Sequence, residues 1–242
     1  MKLSVIIPVY NEQATVAGLL ERVKRVKINK EIVVVNDGSS DNTAKILSEI
    51  KGIKLYSHKG NRGKGAAVRT GFSKVTGDIV IIQDADLEYD PNDYLRLIKP
   101  ILESKAKVVY GTRLKNYPLI LFGKKRTPLP FHLIANKSLT LITNILYGSN
   151  LTDMETCYKV FKREVIQSPA RNARLGVAGG IKLKSSGFEI EPEITAKILK
   201  KGYKIVEVPI SVKPRGYDEG KKISWVDGVK AIYYLIYFRF ID

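Results

Sequence analysis

IVIIQDADLEYDP, residues 79–91, decides how the rest of the chain is read. Ile79, Val80, Ile81 and Ile82 are four apolar β-formers in a row, the pattern of a buried strand. The run ends in Gln83 and two carboxylates one residue apart, Asp84 and Asp86, with Glu88 close behind. One reading places a divalent cation here, at the carboxyl edge of a sheet, bridging to a diphosphate. Hard oxygen donors suit Mg²⁺ or Mn²⁺, which bind through one or two carboxylates plus substrate phosphates. The other reading is an acidic turn that caps the next helix through Asp90 or Asn92. Asp-x-Asp alone does not choose between them.

The segments on either side repeat the pattern. Residues 3–9, LSVIIPV, read as a buried strand, and Asn11 is a candidate N-cap. Val16, Leu19, Leu20 and Val23 then form one helical stripe. A second strand at 31–35 leads into Asn36-Asp37-Gly38-Ser39-Ser40-Asp41, where Ser40 or Asp41 can cap a helix to about residue 50. Residues 53–57 give a third strand. Gly60-Asn61-Arg62-Gly63-Lys64-Gly65 precedes a helix at 66–75. After the 79–82 strand come a helix at 92–103 and a strand at 107–110 that ends in Gly111-Thr112-Arg113. Strand alternates with helix five times. The expected fold class is therefore α/β, a mostly parallel sheet with helices on both faces. In such sheets ligands bind beyond the carboxyl ends of the strands. Three of those ends carry polar clusters: Tyr10-Asn11-Glu12, Asn36-Asp37-Gly38-Ser39 and Asp84-Ala85-Asp86.

The second half is less regular. Residues 116–130 read as a basic loop, 131–147 as an apolar helix and 151–161 as loop and strand. Residues 168–187 resist placement. A helix at 191–201, with Pro192 in its first turn and Gly202 past its end, precedes short strands at 203–208 and 210–213. Residues 215–222 read as a second basic loop. A last helix at 225–240 carries Val226, Val229, Ile232, Tyr233, Ile236, Tyr237 and Phe240 on one face. It reads as a core or homodimer helix, or as an amphipathic helix lying on a membrane.

Composition bounds the function. The 242 residues suit one domain, with a regular strand–helix half, 1–115, and a less regular half, 116–242. Lys and Arg outnumber Asp and Glu by 41 to 24, a formal net charge of +17, which implies an anionic partner. One cysteine, Cys157, rules out an internal disulfide and suits a reducing compartment. The two histidines, His58 and His132, lack metal-ligand spacing and make a Ser-His-Asp mechanism a poor fit. Residues 3–9 are too short for a signal peptide. No apolar run reaches about 18 residues, so no membrane-spanning helix is expected. The charge alone would also suit a nucleic-acid-binding module, but no such module or aromatic-basic repeat is present.

Several motifs have two readings. Asp37 could accept hydrogen bonds from a base or ribose, or could form an Asx-turn. Gly60 to Gly65 resembles a phosphate-cradling loop before a helix, yet it is neither a Walker A motif nor a Gly-x-Gly-x-x-Gly fingerprint. On pattern alone a flexible basic turn is the simpler reading. Arg113, Arg126, Arg215, Lys221 and Lys222 sit in expected loops, where Arg forks can hold phosphate.

Together, Pro8-Val9-Tyr10-Asn11-Glu12, Asn36-Asp37-Gly38-Ser39-Ser40-Asp41-Asn42-Thr43, Asn61-Arg62-Gly63-Lys64-Gly65 and Gln83-Asp84-Ala85-Asp86 resemble the family 2 glycosyltransferases of GT-A fold. Thr152 to Lys159, Glu189 to Glu193 and Arg215 to Ile223 resemble the dolichyl-phosphate mannose synthase and polyprenyl-phosphate glycosyltransferase branch. The resemblance implies an inverting transfer of a hexose from a UDP- or GDP-linked sugar. Pro8, Tyr10, Glu12, Asp37 and Lys64 would contact the donor, and Asp84, Asp86 and Glu88 would surround Mg²⁺ or Mn²⁺ and the diphosphate. Arg113, Arg126, Arg215 and Lys222 would engage the acceptor phosphate or the donor diphosphate, with Asp86, Arg113 and Arg215 nearest the chemistry. The implied acceptor is a polyprenyl phosphate, met peripherally at the cytoplasmic face of an anionic membrane. With a hydroxyl acceptor instead, as in glycan assembly, Asp153 or Glu155 is the candidate base.

Overall fold

The computed structural model describes residues 1–114, 130–167, 180–213 and 225–241. β1 (Leu3–Val9), β2 (Lys30–Asn36), β3 (Lys54–Ser57) and β4 (Ile79–Ile82) alternate with α1 (Val16–Arg25), α2 (Thr43–Glu49) and α3 (Lys64–Lys74). α4 (Tyr94–Leu102), β5 (Val108–Thr112), α5 (Pro130–Tyr147), β6 (Lys159–Lys162) and α6 (Arg163–Ile166) follow. α7 (Ile190–Lys200), β7 (Ile205–Pro209) and α8 (Trp225–Phe240) complete the described elements. The strands form one seven-stranded sheet in the order β3-β2-β1-β4-β6-β5-β7.

The expected mixed α/β sheet is present and mostly parallel. β1 pairs in parallel with β2 and β4, β2 with β3, and β5 with β7. β6 runs antiparallel to both β4 and β5, between which it is inserted. β1 and β4 are almost wholly buried because each has a neighbour on both sides and packing above and below. The α1 stripe of Val16, Leu19, Leu20 and Val23 is buried as its spacing requires. α3 packs on β1 and β2, and α4 on β5, β6 and β7. A second, smaller cluster joins Leu139, Leu151, Met154, Ala231 and Leu235 where α5 meets α8.

Three local expectations change, and one choice between alternatives is settled. Asn11 is not an N-cap: it sits at φ 51°, and its side-chain oxygen accepts the Ser40 N–H at 2.8 Å, while Thr15 precedes α1. Residues 210–213 do not form a strand. Ile210 still donates to the Thr112 carbonyl at 3.1 Å, but Ser211 gives its N–H to the Asp93 carboxylate at 3.0 Å, and beyond it only a single antiparallel bridge between Tyr89 and Val212 forms, with Lys213 donating to the Glu88 carbonyl at 2.9 Å. α8 buries Ala231, Leu235 and Phe238, while Val229, Tyr233, Ile236 and Phe240 from the expected apolar face are exposed. Of the two capping candidates after β4, Asp90 accepts the Asn92 N–H at 3.0 Å, ahead of a short 3-10 turn.

Candidate functional site

Because β1, β2 and β4 are parallel, their carboxyl ends lie along one edge. The Asp37 N–H continues the ladder to the Val9 carbonyl at 2.8 Å, and His58 does so to Asn36 at 2.9 Å. Asp37 is buried, and its carboxylate accepts from Arg62 N–H at 3.0 Å, Gly63 N–H at 2.7 Å and the His58 ring at 2.6 Å. His58 also meets the Thr70 hydroxyl at 2.9 Å. The Asx-type contact at this corner belongs to Asn36, which accepts the Ser39 N–H. Pro8 is half-buried, Tyr10 lies at the exposed margin, and the Glu12 carboxylate accepts the Thr15 hydroxyl at 2.6 Å.

The Gly60–Gly65 loop differs from a phosphate cradle. Arg62 and Gly63 give their N–H groups to Asp37, and Gly65 and Ala66 give theirs to the carbonyls of Gly187 and Ser186 at 3.2 and 3.1 Å. Close packing against this carbonyl chain, with φ 91°, is what requires Gly63: a Cβ there would lie 2.3 Å from the Ser186 oxygen. The loop instead delivers the Lys64 ammonium to the end of β4.

There Lys64 Nζ lies 2.8 Å from Asp84 Oδ1 and 3.0 Å from Glu191 Oε1. The other Glu191 oxygen pairs with the fully buried Lys159, which also donates to the Thr156 carbonyl. Burial alone would lower the Lys64 pKa, but the Asp84 and Glu191 charges outweigh it and hold it well above the usual range. Burial would likewise raise Glu191, and the two lysines hold it below the usual carboxylate range. Beneath, Gln83 accepts from the hydroxyls of Tyr94 and Tyr158, each at 2.7 Å, and donates to the Asp84 carbonyl at 2.9 Å. The backbone that presents Asp84 is therefore fixed from the core. Asp86 accepts the Glu88 N–H at 3.1 Å across Leu87, which sits at φ 63°. Both acidic side chains are half-buried.

No group of three His, Cys, Asp or Glu side chains among the described residues is placed so that it could hold a metal ion, and Asp84, Asp86 and Glu88 are no exception. The donors nevertheless fit Mg²⁺ or Mn²⁺. They are hard oxygens on a half-open strand end, and Asp84 already faces a cationic group in Lys64.

Arg113, at the end of β5, is gripped by the buried Asp153 carboxylate through Nε and Nη2, both at 2.7 Å, and through its backbone N–H at 2.9 Å. Glu207 on β7 holds the same segment by accepting the N–H groups of Thr152 and Asp153 at 2.8 and 3.0 Å. Glu155 retains some exposure, but its Oε1 is sealed from solvent without a hydrogen-bond partner. Burial pushes its carboxyl up to about 7 against the pull of Lys159.

The structure thus brings Lys64 and Asp84 together and sets Arg113 on the neighbouring 152–155 segment. Arg126, Arg215, Lys221 and Lys222 lie outside the described residues. Three participants were given no role by the sequence: Glu191 and Lys159 lie inside stretches that carry the family resemblance, and His58 stands out there only for lacking metal-ligand spacing. Their signal was weak, a carboxylate in a helix's first turn, a lysine opening an apolar strand and an isolated histidine after a strand.

Comparison with known proteins gives the arrangement a relationship. A dolichol-phosphate mannosyltransferase of Pyrococcus furiosus is 29% identical over 98% of this chain and 64% of its own length. A UDP-N-acetylglucosamine–dolichyl-phosphate N-acetylglucosaminyltransferase of Methanococcus voltae is 26% identical over 96% of this chain and 93% of its own. The glucosyl-3-phosphoglycerate synthase of Mycobacterium tuberculosis, solved with Mn²⁺, UDP and phosphoglyceric acid, superposes with a TM-score of 0.72 at 18% identity, covering 100% of this chain and 79% of that one. The same synthase has been solved with Mg²⁺ and UDP. The model of glycosyl transferase family 2 matches residues 4–168, and the chain belongs to that family, a glycosyltransferase of GT-A fold.

Proposed function

We propose that this enzyme moves a hexose from a nucleoside-diphosphate sugar to a polyprenyl phosphate, with inversion, at a cytoplasmic membrane face. The observation that carries the acceptor assignment is the Arg113–Asp153 grip. Asp153 is fully buried and spends both oxygens on Arg113, which leaves it a poor base but makes Arg113 a fixed cation. A phosphate monoester needs no base, because its second pKa is about 6. It needs cations to bring it toward another anion, and a pre-oriented guanidinium meets that need. The relatives named for dolichyl phosphate support the same assignment.

On the donor side, Pro8, Tyr10, Glu12 and Asp37 border the nucleoside region. Asp84 and Asp86, with Glu88 beside them, would hold the divalent cation. A cation bound there supplies Lewis acidity to the leaving nucleoside diphosphate. Lys64 adds positive charge at the same strand end. Arg126, Arg215 and Lys222 belong to this reading as further phosphate contacts. Both α5 and α8 leave apolar side chains exposed, Ile134, Leu141 and Ile145 on one and Val229, Tyr233, Ile236 and Phe240 on the other. No described helix is long and apolar enough to cross a membrane. These faces and the +17 charge support docking on an anionic bilayer.

A second reading has one observation in its favour. Glu155, with a sealed, unpartnered oxygen and a carboxyl pushed up to about 7, has the properties of a general base for a hydroxyl acceptor. The test supplies radiolabelled UDP-glucose, UDP-N-acetylglucosamine and GDP-mannose separately, with Mn²⁺ or Mg²⁺ and membrane lipid extract. Label entering the organic phase from one donor establishes the lipid acceptor and names the sugar. Donor turnover without organic-phase label, abolished by Glu155→Gln, establishes the hydroxyl reading instead.

A further inference from the structure

Four charges, two half-buried and two buried, alternate along one chain of contacts at the end of β4: Asp84, Lys64, Glu191 and Lys159. They come from four different elements or their ends, and their formal charges cancel. Lys64 is the movable member. It projects from the first residue of α3, it is 14% exposed, and Asp84 is 22% exposed, whereas Glu191 and Lys159 are 6% and 0% exposed. The inner pair is fixed, since Lys159 is also bonded to the Thr156 carbonyl. Lys64 Nζ contacts both Asp84 oxygens, at 2.8 and 3.1 Å, and so blankets the carboxylate that the proposed cation would need.

We infer that Lys64 is an internal counter-ion that makes metal binding conditional on the nucleotide. This rests on the proposed metal role of Asp84. A bare divalent cation entering this balanced cluster meets an ammonium already seated on its ligand, and two like charges that close repel. A cation arriving with a diphosphate brings the anion that receives Lys64, which then turns from Asp84 toward the phosphate oxygens while Glu191 keeps its other side. Metal and nucleoside diphosphate therefore raise each other's affinity, as linkage requires. Glu191 and Lys159 are positioning residues in this scheme, because they hold Lys64 within reach of both places without touching the donor.

The experiment is Mn²⁺ titration followed by the electron paramagnetic resonance signal of the free ion. It uses the full chain as wild type, Lys64→Gln and Lys64→Arg, each alone and with UDP or GDP, and circular dichroism verifies the fold. Wild type binds Mn²⁺ weakly alone and about fivefold or more tighter with one of the nucleotides. Lys64→Gln binds Mn²⁺ alone more tightly than wild type and loses most of the nucleotide enhancement. Lys64→Arg, which keeps the charge, stays close to wild type without nucleotide. Equal Mn²⁺ affinity of wild type and folded Lys64→Gln in the absence of nucleotide overturns the counter-ion role while leaving the metal assignment intact. Absence of Mn²⁺ binding in wild type even with both nucleotides overturns the metal assignment and the counter-ion role together. If Lys64→Gln does not fold, Lys64→Arg still decides. Strong Mn²⁺ binding by wild type or by that variant without nucleotide overturns the inference.

Discussion

Asp37 is a buried carboxylate and Glu155 a half-buried one with a sealed oxygen, both beside the site, and their surroundings make them opposites. Asp37 is satisfied by two backbone N–H groups and the His58 ring. Replacing it with Ala leaves the Arg62 and Gly63 N–H groups without an acceptor. The expected cost is about 2–4 kcal/mol of stability, measured by urea unfolding. An unchanged midpoint would mean that the loop is held by its carbonyl contacts to 186–187 alone. Glu155 lacks such donors, and burial pushes its carboxyl up to about 7. A free glutamate titrates near 4.3, so between the two values the folded state binds the extra proton. The stability is fully present below the unfolded value and is lost as pH rises through about 7. Glu155→Gln, neutral at every pH, should match wild type near pH 4 and exceed it near pH 8 in urea denaturation. A constant difference between the two pH values would show that Glu155 is not the titrating group. Residue types at the three strand ends were legible because polar side chains after buried strands are conspicuous. The partners of Asp37 and Lys64 were not, since they come from 20 or more residues away through tertiary folding.

The elements divide in the same way. The five alternations of strand and helix in the first half follow from local periodicity, and the α1 stripe is buried as read. β6 was visible only as the end of a loop-and-strand segment. Nothing local in Lys159-Val160-Phe161-Lys162 states that it enters between β4 and β5 and runs against both. That insertion separates β4 from β5 and places Lys159 opposite Tyr110, beside the site. The edge strand β7 has a comparable long-range task. Its Glu207 carboxylate accepts two backbone N–H groups and the Thr152 hydroxyl, anchoring the segment whose Asp153 grips Arg113. Glu207→Ala should cost roughly 1–3 kcal/mol. It should also lower turnover with the acceptor more than it weakens nucleotide binding, because it frees the Arg113 side of the site only. Calorimetric nucleotide titration beside steady-state kinetics checks this. An equal loss in both would place Glu207 in the support of the whole site.

At the scale of the molecule, charge and exposed apolar surface act together. A net charge of +17 draws the chain toward an anionic bilayer over roughly a Debye length, about 10 Å at 0.1 M salt. Attraction at that range brings the protein to the surface but does not orient it. Orientation requires side chains that enter the interface, and Tyr233, Ile236 and Phe240 on α8 are 61%, 46% and 74% exposed at helical spacing. The opposite residues of the helix, Ala231, Leu235 and Phe238, anchor it to the body, so the exposed stripe is presented by a fixed element. Simultaneous change of Tyr233, Ile236 and Phe240 to Ser should therefore leave the fold intact and weaken binding to anionic vesicles by about tenfold or more. Vesicle co-sedimentation at low and high salt separates the two contributions. Salt should weaken wild type and the triple variant alike, because it screens charge, whereas neutral vesicles should bind neither well. Loss of the salt effect would remove the charge from the account, and full vesicle binding by the triple variant would remove α8. If the same three changes instead convert a dimer into a monomer by sedimentation velocity, with vesicle binding unaltered, the stripe is a homodimer face and another surface must meet the lipid.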